Sequence, residues 1–205
     1  LPPEGSPVVE LVVSLGGETR SIALALYAEQ EPKHVENFLK LVRGYELSLE
    51  TVDLELLMAD LLRFVEPENA RLSVEVRFLP DAGARLVQAD KKLLRLALMN
   101  LVVNARDAMP EGGEIRITTE GLTLDAPLKR DRASVPPGDY VLVKVQDQGV
   151  GIAPDMLQKV FEPFYTTKRT GEGTGLGLAI SSGIVADLGG RLTARNGVDG
   201  GAVFE

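Results

Sequence analysis

The chain lacks cysteine altogether, has a single histidine, His34, and contains no long apolar run. Without cysteine it forms neither disulfides nor thiolate metal sites, which fits a reducing compartment but does not define one. One histidine argues against multi-histidine metal centres and Ser–His catalysis. No segment approaches the roughly 18 apolar residues of a membrane span, and the first residues do not form a signal-peptide pattern. We therefore predict a cytoplasmic protein without membrane contact.

Positive charge is also scarce, because 22 Lys and Arg residues stand against 30 Asp and Glu residues, for a net charge of −8. Since no Lys/Arg run could follow a phosphate backbone, nucleic acid is not an expected partner. The 205 residues, 44% apolar and 25% charged, suit a globular protein with one well-filled domain and a smaller appendage.

Two strand-like runs begin the chain. Val8–Ser14 and Ser21–Tyr27 flank a Gly-Gly pair, which predicts a β-hairpin, and Pro32 opens a helix that runs to about Val42. Three such elements cannot bury enough apolar surface to be stable alone. The exposed hairpin edge could pair with a second copy, so a homodimer through this segment is one expectation.

The sequence L-Y-A-E-Q-E-P-K-H-V-E-N-F-L-K-L-V-R-G-Y at residues 26–45 resembles the opening of a cyclophilin-type prolyl isomerase. In that family a hairpin leads into a helix marked P-K-x-V-x-N-F. The catalytic arginine of the family lies in a later F-H-R-type segment that has no counterpart here, so the resemblance implies no isomerase activity. We predict that residues 1–46 are a cyclophilin-like fragment joined to a second domain, residues 47–205.

The second domain shows a mixed pattern of helices and strands. Asp53 and Asp90 are predicted helix caps, for helices that run to about Phe64 and Met109, and a last helix ends near Leu188. Alternating apolar residues predict strands at Arg71–Phe78, Glu114–Glu120 and Tyr140–Gln146, with a polar surface excursion at residues 121–139.

Two motifs point to a ligand site. Asn100 and Asn104 lie one turn apart on the same side of the long helix, where amides add nothing to a purely apolar core. Asp147-Gln-Gly149-Val-Gly151 follows directly on a strand. Its carboxylate can accept a hydrogen bond from an exocyclic amine such as adenine N6, and its glycines let the backbone approach a flat ring.

Two further motifs follow along the chain. Phe161-Glu-Pro-Phe164 supplies two rings that would anchor a polar loop, and Lys168 extends from that loop toward an anion. The glycine-rich run 171–177 precedes a helix, where free N–H groups and the helix dipole suit phosphate. Its spacing matches neither the P-loop nor the dinucleotide-binding fingerprint.

In this order the four motifs resemble the N, G1, F and G2 boxes of the histidine-kinase ATP-binding domain, which has the Bergerat (GHKL) fold. The resemblance spans roughly residues 47–205 and implies an α/β (α+β) fold, a two-layer sandwich in which helices cover one face of a mixed β-sheet. It also implies ATP and Mg²⁺ as the cofactors.

The resemblance assigns roles position by position. Asn104 would bind the Mg²⁺ that bridges the phosphates, with Asn100 beside it as a catalytic residue, and Asp147 would recognise adenine. Lys168 or Arg169 would neutralise charge as the γ-phosphoryl group leaves. Residues 153–172 would form the ATP lid. The other positions implied to bind the nucleotide are Asp107, Ala108, Gly149, Gly151, Ile152, Phe164, Gly173, Thr174, Gly175, Leu176 and Gly177. Asp107 departs from the family pattern, since many sensor kinases carry Lys or Arg there.

The same fold serves gyrase-type and heat-shock-type ATPases, which carry a general-base glutamate four residues before the metal-binding asparagine. Here that position is Asn100, which cannot take up a proton, so the sequence favours phosphoryl transfer over hydrolysis. We predict the catalytic domain of a two-component sensor histidine kinase, with a phospho-acceptor histidine domain and a response regulator as partners. Autophosphorylation in cis should be very weak, because the acceptor hairpin is missing. The alternative is a non-catalytic chimera that binds nucleotide without turnover.

A competing interpretation makes His34 the phospho-acceptor, because H-V-E-N resembles the H-D-F-N-N pattern of some sensor kinases. Val35 stands where an acidic residue usually follows, and too few residues remain before the second domain for another hairpin helix. We therefore favour a solvent-exposed helix histidine.

Overall fold

The computed structural model describes residues 8–15, 18–25, 47–130, 133–168, 174–198 and 200–205, and the chain divides into two units, Leu1–Leu47 and Ser48–Glu205. In the first unit, strands β1 (Val8–Leu15) and β2 (Glu18–Ala25) pair antiparallel. The predicted hairpin is therefore present, although its second strand begins three residues earlier than the pattern indicates. The helix predicted from Pro32 lies outside the described residues.

The second unit contains three helices and nine short strands among its described residues. The helices are α1 (Leu54–Arg71), α2 (Lys91–Asp107) and α3 (Gly177–Asp187). The strands are β3 (Glu50–Asp53), β4 (Val74–Leu79), β5 (Leu86–Ala89), β6 (Gly113–Leu124), β7 (Leu128–Arg130), β8 (Ala133–Val135), β9 (Gly138–Gln146), β10 (Ala194–Asn196) and β11 (Ala202–Phe204). A single 3-10 turn, Lys159–Phe161, lies between β9 and α3.

Five of these strands form one mixed sheet in the order β10-β11-β9-β6-β4. β4 and β6 run parallel, and the other neighbours run antiparallel. Along β6, Ile115 and Ile117 are fully buried whereas Arg116 and Glu120 are exposed, so one face of the sheet packs on the helices. The predicted mixed sheet with helices is confirmed.

The two long helices begin at the caps that the sequence predicts. The side chain of Asp53 accepts hydrogen bonds from the first turn of α1, and that of Asp90 from the first turn of α2. Both helices then bury one face on the sheet. The core that results joins Leu57, Met58, Leu61, Leu98, Leu101, Val102, Ile115, Ile117, Val145 and Phe204.

The observed elements differ from the prediction in several places, and the short strands β5 and β10 were not predicted. α1 continues past Phe64 through Pro67 to Arg71, because Val65 and Asn69 extend its buried face beyond the proline. The excursion at residues 121–139 instead prolongs β6 to Leu124 and contains the β7–β8 pair. The short strand β11 was not predicted, yet it pairs between β10 and β9. Among the described residues, no helix combines the length and apolarity needed to cross a membrane.

Candidate functional site

Asn100 joins the start of α3 to the middle of α2. Its side chain is 6% exposed, and its Nδ2 donates to the carbonyl oxygen of Gly177 at 3.1 Å and to Ser181 Oγ at 3.2 Å. Ser181 is fully buried and in turn donates to the carbonyl of Gly177 at 2.9 Å. Asn100 therefore holds the first turn of α3 in place. Its predicted catalytic role beside the phosphates stays a prediction.

Asn104 lies one turn further along α2 and has a different environment. Its side chain is half-buried and makes no hydrogen bond within the part of the chain that the structure describes. An amide that is partly shielded from water yet has no protein partner is free to bind a ligand. The two asparagines thus have different environments, because Asn100 is hydrogen-bonded within the protein whereas the side chain of Asn104 is available to a ligand.

Asp147 ends β9 with a buried carboxylate, 1% exposed. Its Oδ1 accepts hydrogen bonds from the backbone N–H of Gly149 at 2.9 Å and of Ala202 at 3.1 Å. Burial raises the pKa of Asp147, although these two N–H donors act in the opposite direction. Its Oδ2 accepts no hydrogen bond from the described residues, so one carboxylate oxygen is left for a ligand that donates.

The turn after Asp147 packs directly on the end of α2. A Cβ at Gly149 would lie 2.5 Å from the carbonyl oxygen of Ala108 and 2.8 Å from its Cβ, so only glycine fits without displacement. The N–H of Val150 reaches the same carbonyl at 3.4 Å. The structure therefore brings the Asp147 motif to the end of the helix that carries Asn104.

Asn196 of β10 holds the end of this turn through hydrogen bonds to Ile152. Gly151 has a φ of +72°, in the left-handed region that favours glycine. Asn196 Oδ1 accepts from the N–H of Ile152 at 2.8 Å, and its Nδ2 donates to the carbonyl of Ile152 at 2.7 Å. These two hydrogen bonds from the Asn196 side chain fix the backbone of Ile152 beside the glycine turn.

The two phenylalanines of the loop behave differently. Phe161 is partly buried against the core, whereas Phe164 is 51% exposed with a φ of +67°. The prediction that both rings anchor the loop is therefore wrong for Phe164. Its backbone is what contacts the glycine-rich run, because its N–H donates to the carbonyl of Gly175 at 2.9 Å. A Cβ at Gly175 would lie 2.5 Å from the carbonyl carbon of Phe164, so glycine is required there too.

Lys168 lies in the predicted lid, and its side chain reaches α2. Its Nζ lies 2.5 Å from Asp107 Oδ2, and Asp107 Oδ1 accepts from Arg106 Nη2 at 2.9 Å. Thr174 and Leu176 lie just before α3, where Thr174 Oγ1 accepts from the N–H of Leu176 at 3.4 Å. Arg169 and Gly173 lie outside the described residues.

The start of α3 differs from the starts of α1 and α2. No side chain of the described residues caps it, whereas Asp53 and Asp90 cap the other two helices. Free N–H groups at a helix N-terminus attract anions, so this end of α3 can accept phosphate. Asn100 keeps that end beside α2.

Three residues that position the site were missed by sequence reasoning. Ser181 links α3 to Asn100, Asn196 holds Ile152, and Gly201 passes so close to Asp147 that a Cβ would overlap its carbonyl oxygen. The Gly200-Gly201 pair was the visible signal for the close approach, and Ser181 lies one turn after Gly177. Asn196 carried no signal, because its contact depends on how the distant strands pair.

Comparison with known proteins identifies the class of this domain. Residues 89–205 match the family described as histidine kinase-, DNA gyrase B- and HSP90-like ATPase, and the chain belongs to that family.

Its relatives are sensor kinases. Sensor kinase CckA of Brucella abortus is 39% identical over 173 residues, which cover 83% of this chain and 18% of CckA. Sensor histidine kinase ZraS of Salmonella typhimurium is 32% identical over 191 residues, covering 92% of this chain and 38% of ZraS. The chain thus spans well under half the length of these two relatives.

Solved structures agree. The catalytic domain of histidine kinase ThkA is 30% identical with a TM-score of 0.62, covering 77% of this chain and 92% of that domain. ThkA in complex with response regulator protein TrrA is also similar, with 25% identity and a TM-score of 0.64, covering 86% of this chain and 46% of that chain. The second unit is therefore a histidine-kinase-type catalytic domain.

Replacing Gly149 with alanine should destabilise the domain by about 1–3 kcal/mol, because the new methyl group would overlap Ala108 at the end of α2. Urea denaturation would measure the loss. Gly121→Ala is the matched control, since a Cβ there meets nothing within 4 Å. Equal stability of the two variants would mean that the turn yields easily and that the close approach is not a constraint.

The stability of Asp147→Asn relative to the wild type should depend on pH. Because the folded pKa of Asp147 is raised, its contribution to stability is present at acid pH and is lost as the pH rises from 3.8 through the folded value. The asparagine oxygen can still accept both backbone N–H bonds, so the variant should be at least as stable as the wild type at neutral pH. The difference should vanish in acid.

Denaturation of both proteins at neutral and at acidic pH would test this expectation. A wild type that is clearly more stable than Asp147→Asn at neutral pH would show that the backbone donors outweigh the cost of burying the charge.

Proposed function

We propose that the second unit binds ATP with Mg²⁺ and transfers the γ-phosphoryl group to a histidine on a separate helical hairpin. The observation that carries this proposal is the arrangement around α2. Asn104, with an amide that has no partner among the described residues, lies on this helix. Two elements contact the helix beside it: the turn of Asp147, whose Oδ2 accepts no bond from the described residues, and the start of α3, which no side chain there caps. A donor, a metal–phosphate group and an anion are the three ligand features that these groups would recognise.

Adenine fits the first of these positions. Its N6 amino group would donate to Asp147 Oδ2, while Oδ1 keeps its bonds to Gly149 and Ala202. The ring would lie against the glycine turn, next to Ile152. Since the carboxylate is buried, the hydrogen bond would form in a low dielectric, where an unpaired partner is costly, and this would favour adenine over bases without an amino donor.

Mg²⁺ fits the second position. It prefers oxygen ligands, retains several waters and needs few protein ligands when phosphates supply the others. The half-buried amide of Asn104, without a protein partner among the described residues, suits that role. When bound, the ion would lower the negative charge on the phosphates.

The chain's own groups would then orient the triphosphate for transfer. The N-terminus of α3, fixed by Asn100 and Ser181, would bind phosphate oxygens through backbone N–H groups. No side chain that could act as a general base stands at position 100, so water would not be activated there. The nucleophile would be an imidazole presented by the partner hairpin, held in line with the γ-phosphate.

The partners follow from the relatives. ThkA has been captured with a response regulator, and a comparable receiver is the partner proposed for the parent system of this chain. A non-catalytic nucleotide-binding module is less favoured, because the relatives described above are sensor kinases. Weak autophosphorylation in cis stays part of the proposal.

The identity of residues 1–46 stays a prediction. The ZraS match covers 92% of the chain, more than residues 47–205 account for, so it extends into this segment. That extension favours a sensor-kinase origin for part of the segment over a cyclophilin-like one. The cyclophilin-like sequence, residues 26–45, lies outside the described residues, and the homodimer through the hairpin is likewise only proposed.

Nucleotide binding is tested with Asp147→Asn. The asparagine amide presents a donor where adenine also donates, so ATP affinity should fall by at least about 10-fold while the fold is retained. Titration calorimetry with ATP and Mg²⁺ measures the affinity, and a thermal melt checks the fold. Asp139→Asn, an exposed aspartate of β9, is the control. Unchanged affinity in Asp147→Asn would contradict the assignment.

Phosphoryl transfer is tested by mixing the protein with γ-labelled ATP and the phospho-acceptor hairpin of a related kinase. Label should appear on the hairpin histidine, and Asn104→Ala should reduce the transfer by an order of magnitude or more, because Mg²⁺ would lose its protein ligand. Tight ATP binding without any transfer, to hairpins from several relatives, would support the non-catalytic module instead.

A further inference from the structure

Three charged residues form a cluster between the lid and α2, which we call the Arg106–Asp107–Lys168 cluster. Asp107 Oδ2 lies 2.5 Å from Lys168 Nζ, and its Oδ1 accepts from Arg106 Nη2 at 2.9 Å and from Arg106 Nε at 3.1 Å. The three side chains are 18%, 27% and 32% exposed in the order Arg106, Asp107, Lys168. All three side chains are thus partly exposed, as in a surface ion pair, and the cluster acts mainly by fixing their relative positions.

The cluster borders the nucleotide site proposed above. Asp107 comes three residues after Asn104 on α2, about 4.5 Å along the helix axis. The next residue, Ala108, is the one that contacts Gly149 of the Asp147 turn. Lys168 is therefore brought from the lid to the stretch of α2 that lies between the proposed metal ligand and the adenine turn.

The charges of the cluster favour an anion. Two cations and one carboxylate leave a net charge of +1, so Asp107 does not make this side of the site negative. An ammonium group has three N–H donors, and Asp107 accepts only one of those of Lys168. Within the described part of the chain the other two have no acceptor and are available to the oxygens of a ligand. Because Arg106 occupies the second carboxylate oxygen, the carboxylate has a fixed orientation in which it presents Lys168.

We infer that Asp107 is a positioning residue, which holds the Lys168 ammonium against α2 so that it binds the phosphates of the nucleotide. This inference rests on the proposed function, since it needs a nucleotide in the site. In this inference Asp107 does not bind the nucleotide directly but acts on it through Lys168. It also means that the lid is tied to α2 by the same side chain that would bind phosphate.

The experiment compares ATP with AMP, which lacks the two outer phosphates, by titration calorimetry in the presence of Mg²⁺. Asp107→Asn should weaken ATP binding about three- to five-fold, as expected from the loss of a partly exposed ion pair, and leave AMP binding within about two-fold. Lys168→Gln should weaken ATP binding about 10-fold or more, since it removes a charged donor. Glu111→Gln, an exposed glutamate just after α2, is the control for a general change of charge.

The double variant Asp107→Asn, Lys168→Gln isolates the coupling between the two side chains. If Asp107 acts only through Lys168, adding Asp107→Asn to the Lys168→Gln protein should change its ATP affinity by less than about two-fold. Asp107→Glu, which can still pair with Lys168, should restore part of the affinity. Thermal melts of all variants would check that the fold is intact.

Several results would overturn the inference. Tighter ATP binding by Asp107→Asn would mean that the carboxylate merely repels phosphate. Equal weakening of ATP and AMP would indicate a structural role, and additive effects in the double variant would mean that the two residues act independently. A wild-type protein that binds neither nucleotide would instead contradict the proposed function itself.

Discussion

The close approach of Gly149 to Ala108 sets the geometry on which the candidate site depends. The contact leaves no room for a Cβ, so the end of β9 and the end of α2 are held at backbone distance. The same helix binds the start of α3 through Asn100 and the lid through Asp107. Three consecutive segments of the chain, all well after α2 in sequence, are thereby held against this one helix, which sets the separation between the proposed adenine and phosphate positions.

This arrangement requires a buried carboxylate that the fold alone does not need. Asp147 is desolvated, and its two backbone donors reduce the cost of burial without cancelling it, as the raised pKa indicates. One donor comes from its own turn and the other from β11, next to Gly201. A buried group that lowers stability, and that is supported by donors from a turn and from a neighbouring strand, is typical of a functional site.

Sequence reasoning succeeded where the signal is local. The caps Asp53 and Asp90 and the alternation along β6 are properties of short stretches, and each led to the right element. Each of the four motifs is short as well, and their order led to the right family. It failed where tertiary contacts decide. β11 has only three residues, too few for a recognisable strand pattern. The hydrogen bonds between Asn196 and Ile152 depend on the pairing of β10. Phe164 lies in a motif that predicts an anchoring ring, but its ring is exposed. The different environments of Asn100 and Asn104 could not be predicted either, because both lie on one helical face and only the position of α3 distinguishes them.

The three helix starts offer a physical reason why phosphate would bind where it is proposed to. All α-helices begin with N–H groups that have no partner within the helix, and an aspartate satisfies them in α1 and α2. An aspartate at the start of α3 would do the same, but it would also repel a triphosphate. The chain instead places Leu176 at the cap position, so the first turn of α3 depends on Asn100 and Ser181 for its stability. Those two side chains bind the carbonyl oxygen of Gly177 and leave the N–H groups of the turn for an anion, so the proposed phosphate would contact atoms that the protein does not use.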